Sequence, residues 1–378
     1  MYIEKKSPIP RYYQLKKILQ SQIEKGKYKL GDKIPSENEL AEKYGISRPT
    51  VRQAFNELTQ EEWLYKERGR GTFCGFIPTE TSKEIKSIAA FIPSVLSYIF
   101  PYILRGIDDV VHQKGYNMIL VHSDCKLEKE KEQLRSLMNK GIKGFIIDRV
   151  HSASKDDSYL AHFFELKRKG IPFVLMDNFI EKLECSYVKL DDVLGGYLAT
   201  EYLIKLGHKR IGCIYLNTYQ QGINRHRGYK EALGKYNLEY DEELVKTYEA
   251  GVPRIGNSIQ LLVNELLALE ERRPTAIFFY NDEITYYGYN TIRERELRVP
   301  DDISIVGFDN CKIAIPSSLR LTTVEHPKYK LGKKAAEVLF QQIENKGNMN
   351  IQQVILKPTL IIGNSCRDVR TKTSAQVA

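Results

Sequence analysis

Apolar residues return at helical spacing in three successive runs between Arg11 and Leu58, and past Ser87 the rhythm changes to short apolar runs alternating with amphipathic ones. The first run, Arg11 to Lys25, brings Tyr12, Leu15, Leu19 and Ile23 to one face. A second opens at Ser36, where Glu39 completes a capping box and Leu40, Ala41 and Tyr44 share a face. Gly45 supplies the positive φ of a tight turn. Ser47 then caps a third helix, with Pro49 in its first turn, where a missing N–H costs nothing. Val51, Ala54, Phe55 and Leu58 follow at i, i+3, i+4 and i+7, so one face is buried. Arg48, Thr50 and Arg52 are left near the outward N-terminal end, with Gln53 nearby. Trp63 to Tyr65 and Thr72-Phe73 are strand-like, and Arg68-Gly69-Arg70-Gly71 forms a cationic tip between them. The pattern is a winged helix-turn-helix. In such a unit the start of the second helix of the pair meets base edges, and arginine on a glycine-rich tip suits phosphates or the minor groove.

From Ser87 onward, strand-like SIAAFIP, YNMILVHSD, IKGFIID, IPFVLMDN, RIGCIYLN, LVKTY, TAIFFYND and ISIVGFDN alternate with helix-like runs such as PYILRGIDDVVHQKG and VLGGYLATEYLIKLGHK. This alternation predicts parallel sheets covered by helices on both faces. Its length predicts an α/β domain of two doubly wound lobes, with a ligand cleft at the carboxyl ends of the strands. Residues 75–84 are polar and aperiodic. The expected division is an α+β head over 1–75, a linker over 76–86 and a two-lobed domain over 87–378.

Charge sharpens the picture. Of 57 Lys and Arg and 48 Asp and Glu in the 378 residues, residues 1–77 hold 15 and 10, an excess of +5 in a fifth of the chain. Positive charge is therefore densest where a polyanion is expected to bind. The start of the chain lacks the apolar core of an export signal, which predicts a cytoplasmic protein. Cys74, Cys125, Cys185, Cys213, Cys311 and Cys366 form no CxxC pair and read as reduced thiols, without zinc spacing. Neither a nucleophile elbow, a P-loop nor HExxH is present. No catalytic residue, cofactor or metal is expected.

IPSENELAEKYGISRPTVRQAFNEL and GRGTF resemble the winged helix-turn-helix of GntR-type bacterial transcription regulators. The resemblance spans residues 9–73. It implies DNA contacts from Arg48, Thr50 and Arg52 on the recognition helix and from Arg68, Gly69 and Arg70 on the wing. Arg11 and Glu37 occupy further positions that touch DNA in related repressors, although Glu37 also suits an ordinary first-turn role. Residues 87–370 resemble the sugar-binding effector domain of LacI/GalR regulators through YIFPYILRGI, LDDVLGGYLATEYLIKLGHKRIG, RHRGYKEAL, RVPDDISIVGFDN and LTTVEHPKYKLGKKAAEVL. A GntR-type head on this domain resembles the arabinose-responsive repressors. That resemblance implies a homodimer on double-stranded operator DNA, released by a small sugar. L-arabinose leads; ribose, xylose, a hexose, or a sugar acting as co-repressor remain open.

A sugar offers vicinal hydroxyls and an apolar C–H face, so its site needs carboxylates, amides, an arginine fork and an aromatic surface. Asp177, Asn178, Asn281, Asp309 and His326 follow apolar runs, Arg225 begins RHRGYKEAL, and Ser97, Tyr98 and Phe100 lie in the YIFP segment. The resemblance puts this set in a sugar cleft. Each also has a plainer role: helix cap for the Asp and Asn residues, a connection between lobes for His326, core for Phe100. Asp191 reads as a cap, and Asp148 after GFII is left undecided. The competing classes are an aminotransferase-like enzyme fused to the head, for which no Schiff-base lysine is in place, and a transport component, which the head excludes.

Overall fold

The computed structural model describes residues 3–4, 7–75, 86–149, 157–250, 254–311, 316–345 and 350–370. The chain divides into two compact units, residues 1–85 and 86–378. Apart from Lys86, the expected linker lies outside the described residues.

The first unit contains α1 (Arg11–Glu24), α2 (Glu37–Tyr44), α3 (Arg48–Gln60), β1 (Leu64–Glu67) and β2 (Gly71–Cys74). Leu15, Leu19 and Ile23 of α1, Leu40 of α2 and Val51, Ala54, Phe55 and Leu58 of α3 close one apolar core. Lys16 at its edge is 6% exposed and ties α1 to α3 through Glu57 at 2.9 Å and Glu61 at 2.6 Å. Ser36 and Glu39 form the reciprocal capping box, and Gly45 turns the chain at φ 63°. Ser47 holds the N-cap position of α3, but its hydroxyl bonds the Thr50 hydroxyl at 2.7 Å, not a backbone N–H. A hydroxyl three residues on competes for the same oxygen.

The second unit runs through β3 (Ser87–Ile92), α4 (Phe100–Gln113), β4 (Asn117–His122), α5 (Leu127–Met138), β5 (Phe145–Ile147), α6 (Asp157–Arg168), β6 (Phe173–Met176), β7 (Ser186–Leu190) and α7 (Asp192–Lys205). It continues through β8 (Ile211–Leu216), α8 (Gln220–Lys235), β9 (Val245–Tyr248), α9 (Ile255–Leu267), β10 (Ala276–Phe279), α10 (Asp282–Glu294), β11 (Ser304–Asp309), β12 (Thr322–Glu325), α11 (Lys328–Glu344), β13 (Gln353–Leu356) and β14 (Thr359–Ile361). Two six-stranded sheets result, in the orders β13-β7-β6-β5-β3-β4 and β14-β12-β11-β10-β8-β9. Among the described strands of these two sheets, only β14 pairs antiparallel. β5, β6, β10 and β11 are buried throughout because helices cover both faces.

The chain passes between the lobes three times, after β7, β12 and β13. One helix pair dominates each lobe, α4 with α11 and α7 with α8. Both pairs cross backbone to backbone through reciprocal glycines. A Cβ on Gly106 would strike the Tyr329 carbonyl, and one on Gly332 the Ile103 carbonyl. Gly196 and Gly228 stand in the same relation to Arg225 and Val193. Helix α8 begins at Gln220, so Arg225 lies in its second turn and does not open the helix as expected.

Candidate functional site

On the head, α3 presents Arg48, Arg52 and Gln53 to solvent, with Thr50 half-buried beside Ser47. Arg52 does not hang free. Glu37, at the first position of α2, accepts its Nε at 3.1 Å and its Nη2 at 2.9 Å. That guanidinium holds the Glu37 carboxyl below its ordinary range. Glu37 therefore holds the Arg52 fork against the start of α2. Arg68, Gly69 and Arg70 form the exposed wing tip, where Gly69 turns at φ 76° and Arg70 pairs with Glu67 at 2.5 Å. A groove between the start of α2, Arg48 and the tip is lined by Lys33, Glu37, Arg48, Gly69 and Arg70. Arg11 is exposed at the first position of α1 and is not on this groove.

In the second unit a cavity of about 240 Å³ opens between the lobes. Ser97, Tyr98, Phe100, Asp177, Arg225, Asn281, Asp309 and His326 all line it. Asn178 does not. Its Nδ2 donates to Asp148 Oδ1 at 3.1 Å and to the Met176 carbonyl at 2.8 Å, so it supports the wall from behind.

Arg225 is the centre of the wall. Nε donates to Asp192 at 2.8 Å, Nη1 to the Tyr280 carbonyl at 2.7 Å, and Nη2 lies 3.5 Å from Asp309. The guanidinium carbon sits 3.6 Å from the Phe308 ring centroid and 4.5 Å from that of Tyr280. Burial works against its charge, but Asp192 and Asp309 outweigh burial and hold it protonated. Two of its five N–H groups are thus fixed on the protein, which aims the remainder.

The carboxylates are equally constrained. Asp309 stands at φ 98° and Asp177 at φ 56°, backbone conformations costly for these residues. Asp309 accepts a short hydrogen bond from the Tyr98 hydroxyl, reaching from the other lobe. Gln221 of α8 donates to the Asp177 carbonyl at 2.7 Å, a second bond between lobes. His326, on the crossover after β12, faces Asp177 at 3.5 Å. Burial disfavours its charge, yet Asp177 raises its pKa above the usual value. Asp177 Oδ1 and His326 Nδ1 are buried with no hydrogen-bond partner among the described residues. Asn281 caps α10 through its side-chain oxygen, accepting from Ile284 N at 3.0 Å, which leaves its amide nitrogen for other partners.

Known proteins resemble each unit and the whole. Residues 11–74 match the model of bacterial regulatory proteins of the gntR family, and residues 200–366 match a periplasmic binding protein-like domain. An arabinose metabolism transcriptional repressor of Geobacillus stearothermophilus is 36% identical over 97% of this chain and 100% of its own. The chain belongs to the family of these repressors. A second member, from Halalkalibacterium halodurans, is 30% identical over 96% of this chain and 98% of its own. Among solved structures, a LacI family regulator from Enterococcus faecium with bound ribose has a TM-score of 0.63 and 26% identity, covering 75% of this chain and all of that one. The regulator CcpA of Lactococcus lactis has a TM-score of 0.65 at 28% identity, covering 75% of this chain and 99% of that one.

This repressor is therefore a DNA-binding transcriptional regulator of sugar metabolism and not an enzyme. Among its described residues no helix is long and apolar enough to cross a membrane. Among the described residues the six cysteines form no disulfide. Residue by residue, the repressor's LDDVLGG segment has a physical reading. Asp191 caps α7, accepting from Leu194 N at 3.0 Å; Asp192 anchors Arg225; Gly196 admits the α8 backbone at Arg225. Its cavity also holds Asp148, Arg149, Tyr219, Gln221, Tyr280 and Glu283, which the strand-end pattern did not select. Only Asp148, closing the GFIID run, carried a signal of the same kind.

Proposed function

We propose that this repressor binds operator DNA as a homodimer, and that a neutral monosaccharide, L-arabinose first, binds between the lobes and releases the DNA. Arg48, Thr50 and Arg52 read base edges, Glu37 orients Arg52, Arg11 adds a flanking contact, and Arg68, Gly69 and Arg70 engage from the wing. The observation that carries the sugar reading is the cavity wall. It combines Arg225, Asp177, Asp309, Asn281 and His326 with the aromatic surfaces of Phe100 and Tyr280, the mixture a polyol needs. The wall holds four carboxyl groups, Asp148, Asp177, Glu283 and Asp309, against the guanidinium groups of Arg149 and Arg225. Burial pushes the Asp148 and Glu283 carboxyls up and Asp177 raises His326, so the wall offers a phosphate no excess of positive charge, whereas its hydrogen-bonding groups suit a neutral sugar. The names of the two repressor relatives favour arabinose, and the ribose held by the Enterococcus regulator keeps other pentoses in view.

The test is calorimetric titration of the full chain with L-arabinose, D-ribose, D-xylose, D-galactose and D-ribose 5-phosphate. A gel shift on a duplex selected by the chain from a random pool accompanies it. Heat with L-arabinose, none with the phosphate, and release of the duplex are expected. Binding of a hexose alone overturns the pentose reading, and tighter DNA binding with sugar makes the sugar a co-repressor. A monomer by light scattering at the DNA-binding concentration overturns the dimer.

A further inference from the structure

Lys33 lies before the helix-turn-helix motif, and its sequence gives it no role. In the fold it lies beside the wing strand β2. It forms an isolated antiparallel bridge with Phe73, and hydrogen bonds flank it on both sides. Ile34 N donates to the Thr72 carbonyl at 2.9 Å and Cys74 N to the Asp32 carbonyl at 2.9 Å. The backbone is fixed, so the side chain leaves from a rigid base. Its stem crosses the wing directly over Gly71, whose backbone stands at φ +130°; a Cβ there would come within 2.8 Å of Lys33 Cε. The absence of a side chain at Gly71 gives Lys33 its path. Lys33 is exposed and lines the same groove as Arg48 and the wing tip.

Neighbouring charges are already engaged. Arg52 holds Glu37, Arg70 holds Glu67, and Lys66 donates to Asn56 Oδ1 at 3.0 Å. Glu39 is the acid whose pKa Lys33 helps lower, but its Oε2 accepts from Ser36 N at 2.6 Å within the capping box. Lys33 makes no ion pair among the described residues. A rigidly mounted, unpaired ammonium between recognition helix and wing is placed for a phosphate, since an ammonium acts as a point charge without the fork that reads a base.

We propose that Lys33 neutralises a DNA backbone phosphate and anchors the head independently of sequence. The inference rests on the head being the DNA-binding unit and adds a contact outside both recognition helix and wing tip. The test compares wild-type full chain with Lys33→Gln and Lys33→Arg by fluorescence anisotropy. Two duplexes are used, one selected by the wild-type chain from a random pool and one of unrelated sequence, across a series of KCl concentrations. Lys33→Gln should weaken binding to both duplexes by a similar factor, about five- to ten-fold near 0.1 M salt, and lower the log–log salt slope by about one. Lys33→Arg should restore both values. An unchanged slope, or a loss confined to the selected duplex, overturns the proposal. Failure of wild type to bind either duplex would instead overturn the DNA-binding reading of the head.

Discussion

Asp282 shows how one buried side chain writes itself into the pH behaviour of the chain. Fully buried at the start of α10, it accepts from Thr323 Oγ1 at 2.7 Å and from Cys311 N at 2.8 Å. Burial first, and the charge of Asp309 second, push its carboxyl up to about 7 from an ordinary 3.8. The folded value lies above the unfolded one, so the native state holds more protons between them. Stability from this group is complete below the unfolded value and is lost as pH rises through about 7. The expected slope is about 1.4 kcal/mol per pH unit across that window. Asp282→Asn should carry a constant cost but no such slope. Urea unfolding of both proteins from pH 4 to 8 measures the difference, and parallel stability curves would mean that Asp282 is ionised throughout.

At the scale of elements, the α7–α8 crossing sets where Arg225 can be. Gly196 lets the α8 backbone approach until Arg225 reaches Asp192, and a methyl there meets a carbonyl oxygen that cannot rotate away. Gly196→Ala should cost at least about 1–3 kcal/mol, as overpacking does, and should weaken sugar binding through the displaced guanidinium. Affinity for DNA at zero sugar should hold. Gly234→Ala, on the same α8 with nothing within 4 Å of the new Cβ, is the control. It should be neutral or stabilising by up to about 1 kcal/mol, because alanine restricts the unfolded chain. If urea midpoints for Gly196→Ala and wild type coincide, the crossing has slack and does not position Arg225.

For the whole molecule, regulation needs a sugar that binds the low-DNA-affinity arrangement better than the other, since equal affinity shifts nothing. Tyr98 to Asp309 and Gln221 to Asp177 already join the lobes, so a sugar between them acts on contacts whose partners come from both sides. Arg225→Ala would leave Asp192 and Asp309 buried without their cation, at about 3–5 kcal/mol. Arg225→Lys keeps the charge and loses the fork. It should fold and bind DNA as wild type does, while release of the selected duplex should need at least about tenfold more L-arabinose, a loss of about 1.4 kcal/mol. A dose–response shift of less than twofold would remove Arg225 from the sugar site.

The linear order of residues was enough to determine the head. Its signals are local: Ser36 with Glu39, Gly45, Pro49, and an apolar face repeating within a single helix. Each depends on neighbours no more than a few residues away, so position in sequence nearly equals position in space. The strand–helix alternation likewise determined a parallel α/β domain, and apolar runs ending in Asp or Asn led to three residues of the cavity wall, Asp177, Asn281 and Asp309. Tertiary structure alone decided which strand ends face inward. Asp177 lines the cavity while Asn178 turns behind it to Asp148, because the chain leaves β6 through a positive φ of 56° at Asp177. β7 and β13 are parallel partners more than 160 residues apart, a pairing no local pattern encodes. Asp192 meets Arg225, Glu37 meets Arg52 and Lys33 joins the wing for the same reason. Each contact exists only once the backbone has brought distant segments within the few ångströms over which hydrogen bonds and charges act.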